Sequence, residues 1–308
     1  MEGADVLLER VNTMLLDFKP VEIQDKGIFD RYFRKDPPDI SELTFTNLFM
    51  WQALYHPVWT ELNDVLLIIL NPEGKTPFGL QPVGPGNKAA ALGILFDYLE
   101  EQTREPKISR AGEKFVSEIV DKNMFACLPD RNNSDYIYST VDLIQLSGRK
   151  YHRKKNHLNQ FIKSFQYEYY QLDLELVECF IDMQEEWCKM RECLEIQDLL
   201  SEDYAVRRAL TYFEELNYRG GAIKIDGRIE AFSLGEMLNE NTAVIHIEKA
   251  NPDIPGLYTA INQMFCSNTW SEIEFINREQ DLGVEGLRKA KESYLPHHMI
   301  NKYTIIRK

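Results

Sequence analysis

No stretch of this 308-residue chain approaches eighteen consecutive apolar residues, so no membrane-spanning helix is expected. The longest apolar run, Val65-Leu66-Leu67-Ile68-Ile69-Leu70, has the length of a strand. A basic leader ahead of an apolar segment is also missing. The chain opens Met1-Glu2-Gly3-Ala4-Asp5, acidic rather than basic, so no secretory signal is expected. Cysteine is scarce: Cys127, Cys179, Cys188, Cys193 and Cys266, with no CxxC pair. An odd, scattered set points to reduced thiols in a cytoplasm. Cys188 and Cys193 have no matching histidine pair, so no metal site is expected. What is present suffices for packed cores, with 44% hydrophobic and 11% aromatic residues, and excludes global disorder. The length exceeds a single ordinary core and predicts two domains.

Cations are in the minority, 35 Lys and Arg against 49 Asp and Glu. Yet no carboxylate occurs from Leu143 to Tyr167, and five of the seven residues from Arg149 to Lys155 are Lys or Arg. Such a local reversal of charge on an acidic chain is a candidate anion site. The Ser147-Gly148 break and the pattern after it predict a helix over about 149–165. Tyr151, Leu158, Phe161, Ile162 and Phe165 fall on one side. Lys150, Lys154 and His157 form a neighbouring row, and Arg149, Arg153 and Gln160 the next. Positive charge at a helix N-terminus opposes the macrodipole by a few tenths of a kcal/mol per charge, roughly, and like charges at i, i+4 add a similar cost. An anionic partner explains that arrangement; a solvated basic face is the alternative.

The same stretch, Asp135 through Phe161, resembles the signature of the phosphatidylglycerol lysyltransferase C-terminal domain family. A closing block resembles the family as well: Ile276-Asn277-Arg278-Glu279-Gln280-Asp281-Leu282-Gly283, then Gly286-Leu287-Arg288-Lys289-Ala290-Lys291-Glu292-Ser293-Tyr294-Leu295-Pro296. The resemblance covers nearly the whole chain. It implies an α/β (α+β) fold of two tandem GCN5-type, acyl-CoA N-acyltransferase-like (GNAT) modules, with mixed sheets flanked by helices. It also implies transfer of an aminoacyl group from a charged tRNA, as in the peptidoglycan-bridge aminoacyltransferases, with no further cofactor.

Taken in order, the pattern predicts a helix over about 5–16, a turn into a short strand near Lys19, and helices over 28–34 and 43–51. Asn63-Asp64 marks a hairpin between strands at 55–61 and 65–70. Helices at 88–102 and 114–122 and a strand at 124–128 complete a first module, 1–148. The basic helix, 149–165, bridges to a second module, 166–308. That module opens on an alternating strand at 167–172 and continues with helices over 176–192 and 201–216. Strands follow at 222–225, 229–237 and 243–248, with Asp226-Gly227 as a two-residue turn. A helix over 256–270, a strand at 274–277, a helix over 285–294 and a strand near 302–306 finish it.

Three sets of residues carry candidate chemistry. Gln81, Gly84 and Gly86 match the Q-x-x-G-x-G spacing of an acyl-CoA pyrophosphate loop ahead of a helix. Pro82 and Pro85 remove amides from that cradle, so a structural strand-to-helix turn is the competing reading. In the second module Pro252-Asp253-Ile254-Pro255-Gly256 stands at the corresponding place, where prolines donate nothing and Asp253 repels phosphate. Candidate proton acceptors there are His246, Glu248, Glu279 and Asp281, with His246 and Glu248 two apart on one strand. Asn277, Arg278, Arg288 and Lys291 extend a basic surface formed by Arg149, Lys150, His152, Arg153, Lys154, Lys155 and His157. Phosphate contacts of this kind are salt-sensitive and sequence-independent, and Tyr136, Tyr138 and Tyr151 are candidates either to stack an unpaired base or to fill a core.

Three functions stay open: an aminoacyl-tRNA-dependent transferase acting on a lipid headgroup, peptide or small-molecule acceptor; a CoA-dependent N-acetyltransferase; and a non-catalytic binder of nucleic acid or an anionic membrane surface.

Overall fold

The computed structural model describes residues 16–192, 195 and 197–308; the helix expected over 5–16 falls almost wholly outside them. In chain order the elements begin with β1 (Lys19–Pro20), α1 (Lys26–Lys35), α2 (Phe45–Met50), α3 (Gln52–Tyr55), β2 (Val58–Leu62) and β3 (Val65–Leu70). They continue with β4 (Phe78–Gly79), α4 (Lys88–Gln102), β5 (Ile108–Gly112), α5 (Glu113–Glu118), β6 (Phe125–Pro129), β7 (Asp135–Ser139) and α6 (Thr140–Gln145). The basic helix is α7 (His152–Ser164), preceded by a 3-10 turn over Arg149–Tyr151. Then come β8 (Tyr167–Gln171), α8 (Val177–Met190), α9 (Gln197–Thr211), α10 (Phe213–Leu216), β9 (Arg219–Ile225), β10 (Arg228–Met237) and β11 (Thr242–Ala250). The chain ends with α11 (Leu257–Thr269), β12 (Phe275–Asn277), α12 (Glu285–Glu292), β13 (His298–Ile300) and β14 (Lys302–Arg307).

Local chemistry explains most of these boundaries. Thr44 caps α2 by accepting from the Asn47 amide, and Asn87 caps α4 by accepting from Ala90, each satisfying an orphan N–H of the first turn. Asn63 and Asp64 both take positive φ, 47° and 61°, the twist that a two-residue hairpin requires. The six residues of β3 are all buried, as a continuous apolar run covered on both faces should be. The helix expected to start at Ser201 begins at Gln197 and breaks at Tyr212. Strands β4, β5 and β13 and helix α6 went unanticipated, each being six residues or shorter.

Two seven-stranded sheets result, one in each compact unit. Their orders are β1-β2-β3-β4-β5-β14-β6 and β8-β9-β10-β11-β12-β7-β13. The two orders are the same pattern. In each, a parallel pair (β4 with β5, β11 with β12) follows an antiparallel run, and a strand from the distant end of the other half sits next to last. The halves thus exchange their final strands. The compact units follow that exchange: residues 1–134 with 300–308, and residues 135–299. The expected division at 148 and 166 differs on both counts. β7 and the basic helix belong to the second unit, and β14 completes the first sheet, paired antiparallel to β5 and β6. A linear reading of the chain has no means to see a strand returning across some 170 residues.

Each unit has its own core. In the first, β3 and β5 pack against Leu92, Leu95, Phe96 and Leu99 of α4. In the second, Ala260, Ile261, Met264 and Phe265 of α11 lie against β9–β12, with Leu158 and Phe161 of α7 beside them. Cys127, Cys179 and Cys266 are free thiols. Cys188 is disulfide-bonded, so the expectation of uniformly reduced cysteines fails there.

Candidate active site in the second unit

The parallel pair β11–β12 positions the site. Leu234 faces Ile247 across β10–β11 while Gly235 faces Ile245, leaving His246 as the extra residue of a β-bulge. A bulge re-aims its side chain. His246 consequently joins one network and Glu248 another, although the spacing of two suggested a shared one.

His246 is clamped. Its Nε2 lies 2.9 Å from Glu236 Oε1 and its Nδ1 2.8 Å from Glu279 Oε1, with 2% of the side chain exposed. Burial alone would depress its pKa, but the two carboxylates override that and push it up to about 9. The imidazolium therefore donates from both nitrogens and holds no lone pair for a proton at neutral pH. As a general base it is unsuited; its geometry is that of a positioning cation. Glu279 takes a positive φ of 54° and its backbone N–H donates to Asn277 Oδ1 at 2.7 Å. Asn277, fully buried, also donates to Asp135 Oδ2 at 3.0 Å.

Asp281 is sealed inside the loop between β12 and α12. Tyr136 donates to it at 2.6 Å, Arg288 donates from Nε and Nη2 at 2.9 Å each, and the Gly283 amide donates at 2.8 Å. Burial would raise its pKa; the Arg288 and Tyr136 hydrogen bonds and the Gly283 amide together hold it well below the usual carboxylate range. It pins the loop rather than accepting protons.

Glu248 lies between Arg278 Nη2 at 2.7 Å and Asn262 Nδ2 at 2.8 Å. The Arg278 guanidinium sits 4.7 Å from the Tyr294 ring and 5.6 Å from the Tyr138 ring, with 12% of its side chain exposed. Its Nη1 is buried without an acceptor. Lys154 of α7 turns inward and places Nζ 3.7 Å from the centroid of the same Tyr294 ring. Among the described residues this ammonium has no hydrogen-bonding partner. Burial, reinforced by Arg278, brings its pKa down to about 8 against the pull of Glu248. Lys291 donates to the Gln280 carbonyl at 2.6 Å and to that of Arg278, and burial lowers its pKa to about 8 as well, against Glu279.

The structure thus brings Lys154, Glu248, Arg278 and Lys291 together, with His246 and Glu279 on the neighbouring bulge. It leaves Arg149, Lys150, His152 and Arg153 exposed on the first turns of the basic helix, and Lys155 and His157 half-buried. Lys150 pairs with Asp142 at 3.1 Å, and Lys155 donates to the Gln145 carbonyl. Ile162, placed by periodicity on the apolar side, is 44% exposed. Tyr136, Tyr138 and Tyr151 are core residues with at most 1% exposure, so none can stack a base. The sequence reading missed Asn262, Glu236 and Tyr294. Only Tyr294 carried a signal, as the last aromatic of the closing block.

Two helix N-termini were weighed as phosphate cradles, and at both the glycine lies in close contact with neighbouring backbone. Gly256, with φ of 84°, precedes α11; a Cβ there would lie 2.4 Å from the His157 carbonyl oxygen and 3.1 Å from Phe161 Cβ. Gly256 therefore lies directly against the backbone of α7. In the first unit, a Cβ on Gly84 would lie 2.4 Å from the Asp64 carbonyl and one on Gly86 2.1 Å from that of Asn63. Those glycines let the loop close on the β2–β3 hairpin. The Gly84 amide donates to Asp36, the Gly86 amide to the Asp64 carbonyl, and the Gln81 side chain accepts from the Gly112 amide at 2.8 Å. The glycine spacing has a complete structural account.

The model of the family described as phosphatidylglycerol lysyltransferase, C-terminal, matches residues 35–306. A crystal structure of a conserved protein of unknown function from Bacteroides thetaiotaomicron VPI-5482 is 31% identical, covers 96% of this chain and 100% of its own, and superposes with a TM-score of 0.89. The structure of L-PGS from Bacillus licheniformis is 13% identical, with 92% of each chain covered and a TM-score of 0.65. An uncharacterized protein of Mycoplasmoides gallisepticum, strain R(low), is 24% identical over 179 residues, 56% of either chain; the chain spans about half the length of this curated relative. The paired sheets are the tandem GNAT-like architecture, as the reading of the sequence expected.

Proposed function

The chain belongs to the phosphatidylglycerol lysyltransferase C-terminal family, and from that premise we propose that it moves an aminoacyl group from a charged tRNA to an amine or hydroxyl acceptor. The observation that carries this reading is the convergence of two cations on the Tyr294 ring, Lys154 Nζ 3.7 Å and the Arg278 guanidinium 4.7 Å from its centroid, with Arg278 Nη1 left without a protein acceptor. Acyl transfer from an activated ester needs donors aimed at a developing oxyanion and a group that takes the acceptor's proton. Arg278 Nη1 supplies the first. Lys154, with its pKa near 8, supplies the second through its neutral fraction. The acceptor heteroatom bonds to the carbonyl carbon, the ester bond to the ribose oxygen breaks, and the proton passes through Lys154 to that leaving oxygen.

The class of donor follows from what surrounds the centre. The backbone of α7 approaches Gly256 at the start of α11, which argues against a pyrophosphate cradle at that helix N-terminus. The exposed Arg149, Lys150, His152 and Arg153 at the start of α7 suit an extended phosphate backbone instead.

The test is incubation of the full chain with a mixed pool of tRNA charged with labelled amino acids, scored for label leaving tRNA in the presence of candidate acceptors. Parallel reactions carry labelled acetyl-CoA. Transfer from tRNA alone supports the proposal. Transfer from acetyl-CoA alone, or retention of tRNA without turnover against any acceptor class, overturns it.

A further inference from the structure

The first unit holds a second buried cation that the proposed reaction does not use. Arg110 lies within β5 yet takes a φ of 59°, a left-handed conformation that a strand residue with a side chain adopts only under constraint. Its guanidinium lies 4.9 Å from the Tyr55 ring and 5.7 Å from the Phe78 ring, and Nη2 donates to the Tyr55 hydroxyl oxygen at 2.8 Å. Glu42 stands 3.9 Å from Nε, too far for a hydrogen bond, and it is already held by Lys302, which is fully buried. Two cations therefore share one buried carboxylate, with Asp130 a weaker and more remote attraction.

Arg110 Nη1 meets no acceptor among the described residues, and 13% of the side chain reaches solvent. The Tyr55 hydroxyl accepts from Arg110, which leaves its own O–H free to donate outward. A cation and a hydroxyl donor side by side, in a half-buried aromatic setting with one carboxylate between two positive charges, form a receptor for an oxyanion. The left-handed φ belongs to a β-bulge, with Ser109 and Arg110 of β5 standing against Thr304 of β14, and a bulge re-aims its side chain.

We propose that Arg110 and Tyr55 form an anion-binding site in the first unit for one carboxylate or phosphate group. The site is distinct from the Lys154–Arg278 centre and does not depend on the reading of that centre. It gives the first unit, whose glycine loop is closed on its own hairpin, a binding role of its own.

Thermal unfolding of the full chain in inorganic phosphate, acetate or chloride at matched ionic strength tests this. Phosphate or acetate is expected to raise the wild-type midpoint by about 2–4 °C over chloride, and whichever does so identifies the oxyanion. Tyr55→Phe should lose about half of that shift and Arg110→Gly all of it. In chloride, Arg110→Gly should unfold within about 2 °C of wild type, since relief of the strained φ offsets the lost contacts. Lys154→Ala should respond as wild type does. Equal shifts in wild type, Tyr55→Phe and Arg110→Gly overturn the site, and so does loss of the shift in Lys154→Ala, which would assign the effect to the second unit. Phenylglyoxal modification of wild type, mapped by mass spectrometry, is independent of any variant. The stabilising anion should slow labelling of Arg110 about threefold, and an unchanged rate overturns the proposal.

Discussion

The carbonyl oxygen of His157 stands 2.4 Å from where a Cβ on Gly256 would begin. This contact joins the basic helix to the start of α11. It requires glycine twice over, for space and for the φ of 84°.

Gly256→Ala should therefore destabilise the second unit by about 2–4 kcal/mol, from overpacking and a disfavoured backbone. That corresponds to a midpoint roughly 5–10 °C lower. Thermal unfolding with and without acetyl-CoA checks both halves of the argument: the midpoint falls, and acetyl-CoA restores none of it.

The clamp on His246 sets a pH dependence with a definite sign. The folded pKa of about 9 lies above the ordinary 6.5, so the folded state binds the proton more tightly than the unfolded state. The resulting stability, on the order of 3 kcal/mol, is fully present below about pH 6.5 and disappears as pH rises through 9. Denaturant unfolding between pH 6 and pH 10 should show this loss in the wild type. In His246→Gln the slope between pH 7 and 9 should be much flatter. An equally steep fall in that variant would assign the slope to other groups.

Much of this molecule is written locally. The Asn63-Asp64 hairpin, the six-residue strand β3 and the fifteen-residue helix α4 follow from turn chemistry, an unbroken apolar run and a capped helical pattern. The basic run was legible as charge, but charge does not state direction. Periodicity put Lys154 in the same row as Lys150, whereas the structure turns Lys154 onto Tyr294 and leaves Lys150 at the surface. Asn262 and Glu236 reach the centre from α11 and β10 through strand register and a bulge, which spacing along the chain does not encode. The return of β14 to the first sheet is of the same kind.

That returning strand is fixed by a buried ion pair. Lys302, fully buried, meets Glu42, whose side chain is 3% exposed, at 2.5 Å. Lys302→Met should cost about 3–5 kcal/mol, because it takes the ammonium away from a buried carboxylate. Lys289→Met breaks an ion pair with Glu285 whose members are 72% and 79% exposed, and should cost at most about 0.5 kcal/mol. Denaturant midpoints of the two variants, measured side by side, check the contrast. Near-equal values would mean that the Glu42 site relaxes and takes up water.

The last expectation separates holding tRNA from acting on its ester. Arg149 and Arg153 are exposed, while Lys154 lies over Tyr294 beside Arg278. On the proposed reading these two arginines hold phosphates, so Arg149→Ala with Arg153→Ala should weaken tRNA retention and flatten the log–log salt dependence by about 2. Turnover at saturating tRNA should change less than about threefold. Lys154→Met should do the reverse, leaving retention within about twofold and lowering turnover by roughly 100-fold, the range for loss of a general base. In the wild type the turnover rate should climb with pH and level off near 8, where Lys154 loses its proton; the residual rate of Lys154→Met should lack that inflection. Filter retention across a salt series, paired with single-turnover transfer from pH 6.5 to pH 9, reads both quantities. A Lys154→Met enzyme that keeps the inflection would remove Lys154 from the proton's path and leave Arg278 as the remaining donor at that ring.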